Sequence, residues 1–379
     1  MVNRIENINS NLIEWAITRA GFKLEEFFTK NPTVEEWIKG NKYPTIKQLE
    51  DFTHKVHVPF GYLFLNEPPQ EELNIPFFRT GKGDVQKVSL NVYHTIQMLQ
   101  ERQTWLTEYL TESGYDDLGF VESFDKNDSY REIVNSIRKT LGLNEDWAKE
   151  FKTWEETLDY LTRKIEDIGI IITFNGVVGN NTRRKINVEE CRGFVLVNKK
   201  APFLFINSTD AKAAQMFTLL HEIAHIWLGE SAGFDNDDML PADNPIEKLC
   251  DKVAAEFLVP EIHFKELWKT SKNFSTLSRN LKVSPIVIAR RALDLNLITK
   301  GEFFEFYNSY IKSFQIKKEN QTSGGNFYAT ARKRVSLRFV NFVNNAVKEN
   351  NLLYRDAYRL TNLRGNTYDK FVNEYLYKV

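Results

Sequence analysis

The sequence predicts a mostly helical α+β protein, and three observations carry that prediction. Long stretches on both sides of the middle of the chain place apolar residues at helical spacing. Three short runs rich in Ile, Val, Phe and Leu, namely Ile168–Phe174, Gly193–Val197 and Phe203–Asn207, lie close together and read as strands. Turn-rich segments at Pro68–Pro76 and Lys317–Gly325 divide the chain into modules, and 379 residues suffice for two to four domains with separate cores.

In chain order, residues 10–65 read as a compact five-helix unit. Its segments are Asn11–Arg19, Leu24–Phe28, Thr33–Lys39, Thr45–His54 and a short one near Gly61–Leu65. After the first linker, which ends in Pro76-Phe77-Phe78-Arg79-Thr80, the amphipathic stretches Leu90–Glu112, Ser129–Leu141 and Asn144–Asp167 form a helical scaffold. The three strands follow, the last two joined by the hairpin-like Asn198–Pro202. Phe217–Leu228 is a helix stopped by Gly229, and a second helix starts near Asn244–Pro245 and ends before Pro260. Ser275–Leu281 and Ser284–Leu295 make a helical hairpin, with Ser284 as cap and Pro285 in the first helical position. Beyond the second linker, Tyr354–Leu360 and Asn366–Leu376 read helix–turn–helix. The resulting domain boundaries are 1–66, 67–165, 166–315 and 326–379.

Composition excludes several classes. Hydrophobic content of 42% and charge of 27% are those of an ordinary globular protein, and a net charge of −1 creates no overall field toward nucleic acid or membrane. The two cysteines, Cys191 and Cys250, are too few for a disulfide framework. The first residues lead into an amphipathic helix rather than a signal peptide, and the longest apolar run, Ile168–Phe174, cannot cross a bilayer. The expected setting is the reducing cytoplasm, with no membrane partner. Charge is uneven, however. Residues 1–60 balance eight basic against eight acidic side chains, whereas residues 330–379 hold ten basic against four acidic. The tail is thus the better electrostatic candidate for nucleic acid or for an acidic protein.

The chemistry centres on His221-Glu222-Ile223-Ala224-His225. Residues four apart share one helix face, so His221 and His225 aim two imidazoles at one point, and Glu222 stands beside it to deprotonate a water. This is the zinc-peptidase arrangement, with Zn2+ as cofactor. The metzincin third ligand is ruled out, because Leu228 and Ser231 stand where Gly and His are needed. Glu247 and Asp251 lie one turn apart on the following helix. Glu247 is positioned to be the third ligand, and Asp251 to accept a hydrogen bond from a ligand imidazole, the Glu-x-x-x-Asp form of gluzincins. The strands ahead of this helix offer an edge to which an extended peptide can add. The loop Glu230–Asn244 carries Glu230, Asp235, Asp237, Asp238 and Asp243 without a Lys or Arg, an acidic rim that would favour basic substrate segments. No oxyanion donor stands out; Tyr328 is the one candidate.

Two resemblances extend this reading. Trp37-Ile38-Lys39-Gly40-Asn41-Lys42-Tyr43-Pro44-Thr45-Ile46-Lys47-Gln48-Leu49 resembles the core of XRE-type helix-turn-helix domains, which implies an N-terminal XRE-like domain. The short Lys30-Asn31-Pro32 connection, the acidic Glu35-Glu36 and the zero net charge leave two alternatives for that unit, DNA binding or protein docking. His221–His225, Glu247 with Ala254–Pro260, Phe205-Ile206-Asn207, Phe217–Leu220 and Arg192-Gly193-Phe194 resemble the ImmA/IrrE-type metallopeptidases, most specifically over residues 192–260. Many members have Ala-Asn where this chain has Cys250-Asp251. The resemblance implies a central gluzincin-like zinc domain with a small twisted sheet, ligands His221, His225 and Glu247, and Glu222 as base. It also implies a protein substrate, a helix-turn-helix repressor or antitoxin, whose cleavage switches on stress or mobile-element genes. The competing reading is a DNA-binding transcriptional regulator with a structural or degenerate zinc site.

Overall fold

The computed structural model describes residues 4–6, 8–71, 77–78, 88–234, 244–318 and 327–377. The protein is a mostly helical α+β chain in two compact units, Met1–Asn74 with Gln86–His94, and Ile75–Val85 with Thr95–Val379.

The first unit contains α1 (Ser10–Arg19), α2 (Leu24–Lys30), α3 (Pro32–Ile38), α4 (Ile46–Val56) and a 3-10 turn at Phe60–Phe64. Ile13, Ile17, Phe27, Leu49, Phe52 and Leu63 form its core. Thr45 caps α4 reciprocally: its hydroxyl accepts from the Gln48 N–H, and the Gln48 side chain accepts from the Thr45 N–H.

The second unit is built on a mixed five-stranded sheet of order β1-β7-β5-β6-β2. Its strands are β1 (Phe77–Phe78), β2 (Ile171–Asn175), β5 (Gly193–Leu196), β6 (Phe203–Asn207) and β7 (Ala232–Phe234). A separate hairpin joins β3 (Val177–Val178) to β4 (Asn181–Lys185). β5 pairs antiparallel with β6 and with β7, whereas β2 runs parallel to β6. Every residue of β2, β5 and β6 is buried, because both faces are covered. On one face Val195, Leu204 and Ile206 share a core with Leu219, Leu220 and Ile223 of α8 (Lys212–Leu228). On the other, Phe194 stacks on Phe205, and Phe203 meets the edge of Phe339 at 5.6 Å.

Helices α5 (Leu90–Glu112), α6 (Tyr130–Leu141) and α7 (Trp154–Asp167) precede the central strands. After α8 come α9 (Pro245–Leu258), α10 (Glu261–Thr270), α11 (Phe274–Leu281), α12 (Pro285–Asp294) and α13 (Lys300–Lys318). The tail forms α14 (Phe327–Val335), α15 (Leu337–Lys348), α16 (Tyr354–Thr361) and α17 (Asn366–Tyr375). Among the described residues, no helix is long and apolar enough to cross a membrane.

Three local expectations are corrected. Asn144–Asp167 is not one helix: a 3-10 turn at Trp147–Glu150 ends at Phe151, and α7 restarts behind a Thr153/Glu156 capping box. The first central strand starts at Ile171 rather than Ile168, since α7 runs to Asp167 and Gly169, at φ +111°, makes the turn. Lys317 and Lys318 close α13 instead of opening a linker.

Candidate metal centre

α8 is fastened at both ends. Near its start the buried Gln215 amide donates to the carbonyls of Ser208 and Asp210, tying the helix to the end of β6. At its end Gly229 takes the left-handed conformation, φ +77°, and its N–H returns to His225 and Ile226. The carbonyls of Ile226 and Trp227 accept from the N–H groups of Glu122 and Phe124, so two of the helix's terminal acceptors are satisfied from outside. Trp227 stacks on Phe120 with centroids 4.5 Å apart and donates to Ser136. α9 begins with Pro245 in its first turn and the Asn244 side chain accepting from the Ile246 N–H. α8 and α9 pack together with their ligand faces inward.

The structure brings His221, His225 and Glu247 to one point. His221 Nε2 lies 3.0 Å from Glu247 Oε2, His225 Nε2 lies 3.2 Å from Glu247 Oε1, and the two Nε2 atoms are 3.2 Å apart. Three donors bound tetrahedrally to one ion at about 2.0–2.1 Å would stand about 3.3 Å from each other. The two imidazole nitrogens stand at about that separation, one Glu247 oxygen faces each of them, and a single donor atom from each residue lies within 4.8 Å of the other two; all three residues are buried. Asp251 Oδ1 is 3.0 Å from His221 Nδ1, on the side away from the triangle. Glu222 is fully buried, and neither of its carboxylate oxygens has a hydrogen-bond partner among the described residues. Solvated acids do not stay buried without a reason.

The electrostatics follow from burial and crowding. Burial pulls the His221 proton affinity down, but the hydrogen bonds to Asp251 and Glu247 prevail and push it to about 10. Burial lowers His225, against a raising hydrogen bond with Glu247. Glu247 is opposed by burial yet held well below the carboxylate range by the two imidazoles. Burial pushes Glu222 well above that range, with the His221 charge opposing. Cys250 is also buried, its thiol is pushed up by burial and by the nearby carboxylates, and it is not one of the converging donors.

Gly193, at the head of β5, fixes how closely α8 approaches the sheet. A Cβ there would stand 2.6 Å from Thr218 Cγ2, 2.9 Å from the Phe205 carbonyl oxygen and 3.2 Å from Glu222 Oε1. Thr218 and the steric role of Gly193 were missed in the sequence. A glycine heading an apolar strand run, just ahead of the motif helix, was the available signal.

Other expectations fare differently. Among the described residues, the sheet edge beside β5 is taken by β7 and the edge of β7 by β1, so the outermost strands are β1 and β2. Asp235, Asp237, Asp238 and Asp243 of the acidic rim lie outside the described residues, as does the Tyr328 side chain. His263 is half-buried, and its Nε2 has no hydrogen-bond partner among the described residues. In the tail, Lys333 pairs with Asp159 at 2.8 Å, Arg359 with Glu101 at 3.1 Å, and Lys348 sits over the Tyr377 ring. Lys333 and Arg359 are therefore matched by acids outside the tail.

A His-His-Glu triangle with a partnerless carboxylate beside it is the donor set of a metal-dependent hydrolase. Residues 165–293 match the family described as the IrrE N-terminal-like domain, Peptidase_M78, which supports a peptidase of the ImmA/IrrE type. Residues 335–374 match a domain of unknown function, DUF8813. No curated protein matches the chain.

Proposed function

We propose that the protein is a zinc-dependent endopeptidase that hydrolyses a peptide bond in a regulatory protein, a helix-turn-helix repressor or antitoxin. The observation that carries this reading is Glu222, buried with both oxygens unpartnered beside three converging donors. A purely structural zinc is usually enclosed by four protein ligands; three donors beside a waiting base suit catalysis better.

Zinc held by His221, His225 and Glu247 would supply Lewis acidity toward water and the scissile carbonyl. Glu222 takes the proton of the attacking water and passes it to the leaving amine nitrogen as the C–N bond breaks. Its raised proton affinity suits the second of these transfers. Asp251 accepts from His221 Nδ1 and so leaves Nε2 facing the ion. The five-helix unit, with balanced charge, serves as a docking arm for the protein substrate, and its XRE-like run would let it compete for the same partners or operators.

The test is Glu222→Gln. The variant should fold, keep one zinc per chain and lose cleavage of a co-encoded helix-turn-helix protein by a factor of roughly 100–10,000. Undiminished cleavage would overturn the reading. Steeply salt-dependent operator binding, untouched by the substitution and with no cleavage in either form, would favour a DNA-binding regulator instead.

A further inference from the structure

α9 turns Glu247 toward the metal triangle, while its adjoining face carries Lys248, Asp251, Lys252 and Ala255. That face is one wall of a cavity of about 450 Å3. Val287 and Leu295, at α12 and its end, line it too, as does Phe217, one turn ahead of His221 on α8. Its volume is that of a small-molecule site, roughly 300–1,000 Å3.

The charges in it are unequal. Each acid that lines the cavity is already engaged: Asp251 with His221 at 3.0 Å, Asp294 with Arg290 at 2.9 Å, and Glu261 with Arg131 at 2.7 Å. Arg291 is engaged with Glu256. Lys248 and Lys252 have no acidic partner among the described residues. They stand one helical turn apart, where like charges repel. Two exposed ammonium groups that form no ion pair among the described residues, beside apolar walls, make a receptor for a negative head on an apolar body.

We propose that this cavity binds a small organic anion. Lys248 and Lys252 hold its carboxylate or phosphate, and its apolar part lies against Phe217, Val287 and Leu295. Asp251 both lines the cavity and holds the His221 ring. The binding does not depend on the peptidase reading.

The test is calorimetric titration of the full chain with 3-phenylpropionate and with phenyl phosphate at fixed ionic strength, alongside neutral 3-phenylpropanol. Saturable one-to-one binding of either anion, with the alcohol failing, is expected, and the two anions tell a carboxylate from a phosphate preference. K248Q/K252Q alters only exposed side chains and should weaken the preferred anion by about tenfold or more. K248R/K252R should restore it. Absence of binding by both anions, equal binding of the alcohol, or unchanged affinity in K248Q/K252Q would overturn the proposal.

Discussion

His221 is held from two sides, and each side makes a measurable demand. Asp251→Ala removes the acceptor on Nδ1 and should weaken zinc by roughly 10–100-fold with little change in fold, read by competition with a chromophoric chelator. Unchanged affinity would remove Asp251 from the centre. The proton affinity of His221, raised from 6.5 to about 10, sets the pH behaviour. At pH 7.5 the metal-free ring is protonated, and zinc needs it neutral. Zinc binding should therefore release about one proton, visible as a dependence of the calorimetric heat on buffer ionisation enthalpy, and affinity should rise with pH up to about 10. The sign for stability is opposite: a raised histidine stabilises the metal-free fold fully below 6.5 and loses that contribution as pH climbs through about 10. These residues were legible in the sequence because helical spacing alone puts His221 and His225, then Glu247 and Asp251, on shared faces. Gly193 was not legible as a contact, since what it avoids comes from β6 and α8, distant in the chain until folded.

At the scale of the element, the junction of β5 with α8 has no spare room. Gly193→Ala places a methyl 2.6 Å from Thr218 Cγ2 and 2.9 Å from a backbone carbonyl, so strand and helix must part. We expect a loss of about 1–3 kcal/mol in urea unfolding. Thr218→Ser in the same chain should recover part of it by removing Cγ2, and an additive double variant would place the strain elsewhere. The longer helices were legible through periodicity and caps: α8, α9 and α12 end or begin at Gly229, Pro245 and Ser284 as the residue types demand. The break before α7 was masked because apolar spacing continues across it, although Thr153 and Glu156 spell a capping box. β1 and β7 were not legible, as runs of two and three residues gain strand character only from the neighbours that pair with them.

Across the whole second unit, the tail is part of the structural core. Phe339 lies against Phe203 and Trp105, Ser336 bonds Glu166, and Lys333 reaches Asp159. A chain ended at Lys318 should lose this cover, expose the Phe203 face of the sheet and elute as aggregate in size-exclusion chromatography. A monomeric product with an unchanged unfolding midpoint would show the tail to be dispensable. The excess of basic residues there was plain in the sequence, but net charge does not reveal which cations turn toward acids elsewhere in the fold.

The fastening of α8 has a practical bearing on redesign. Close contact with Gly193 along its flank and hydrogen bonds from Glu122 and Phe124 at its tip leave α8 little room, whereas the Lys248–Lys252 flank of α9 borders open volume. Libraries that reshape the surroundings of the metal centre should accordingly accumulate their changes on the α9 flank, and substitutions recovered in α8 should be few and small.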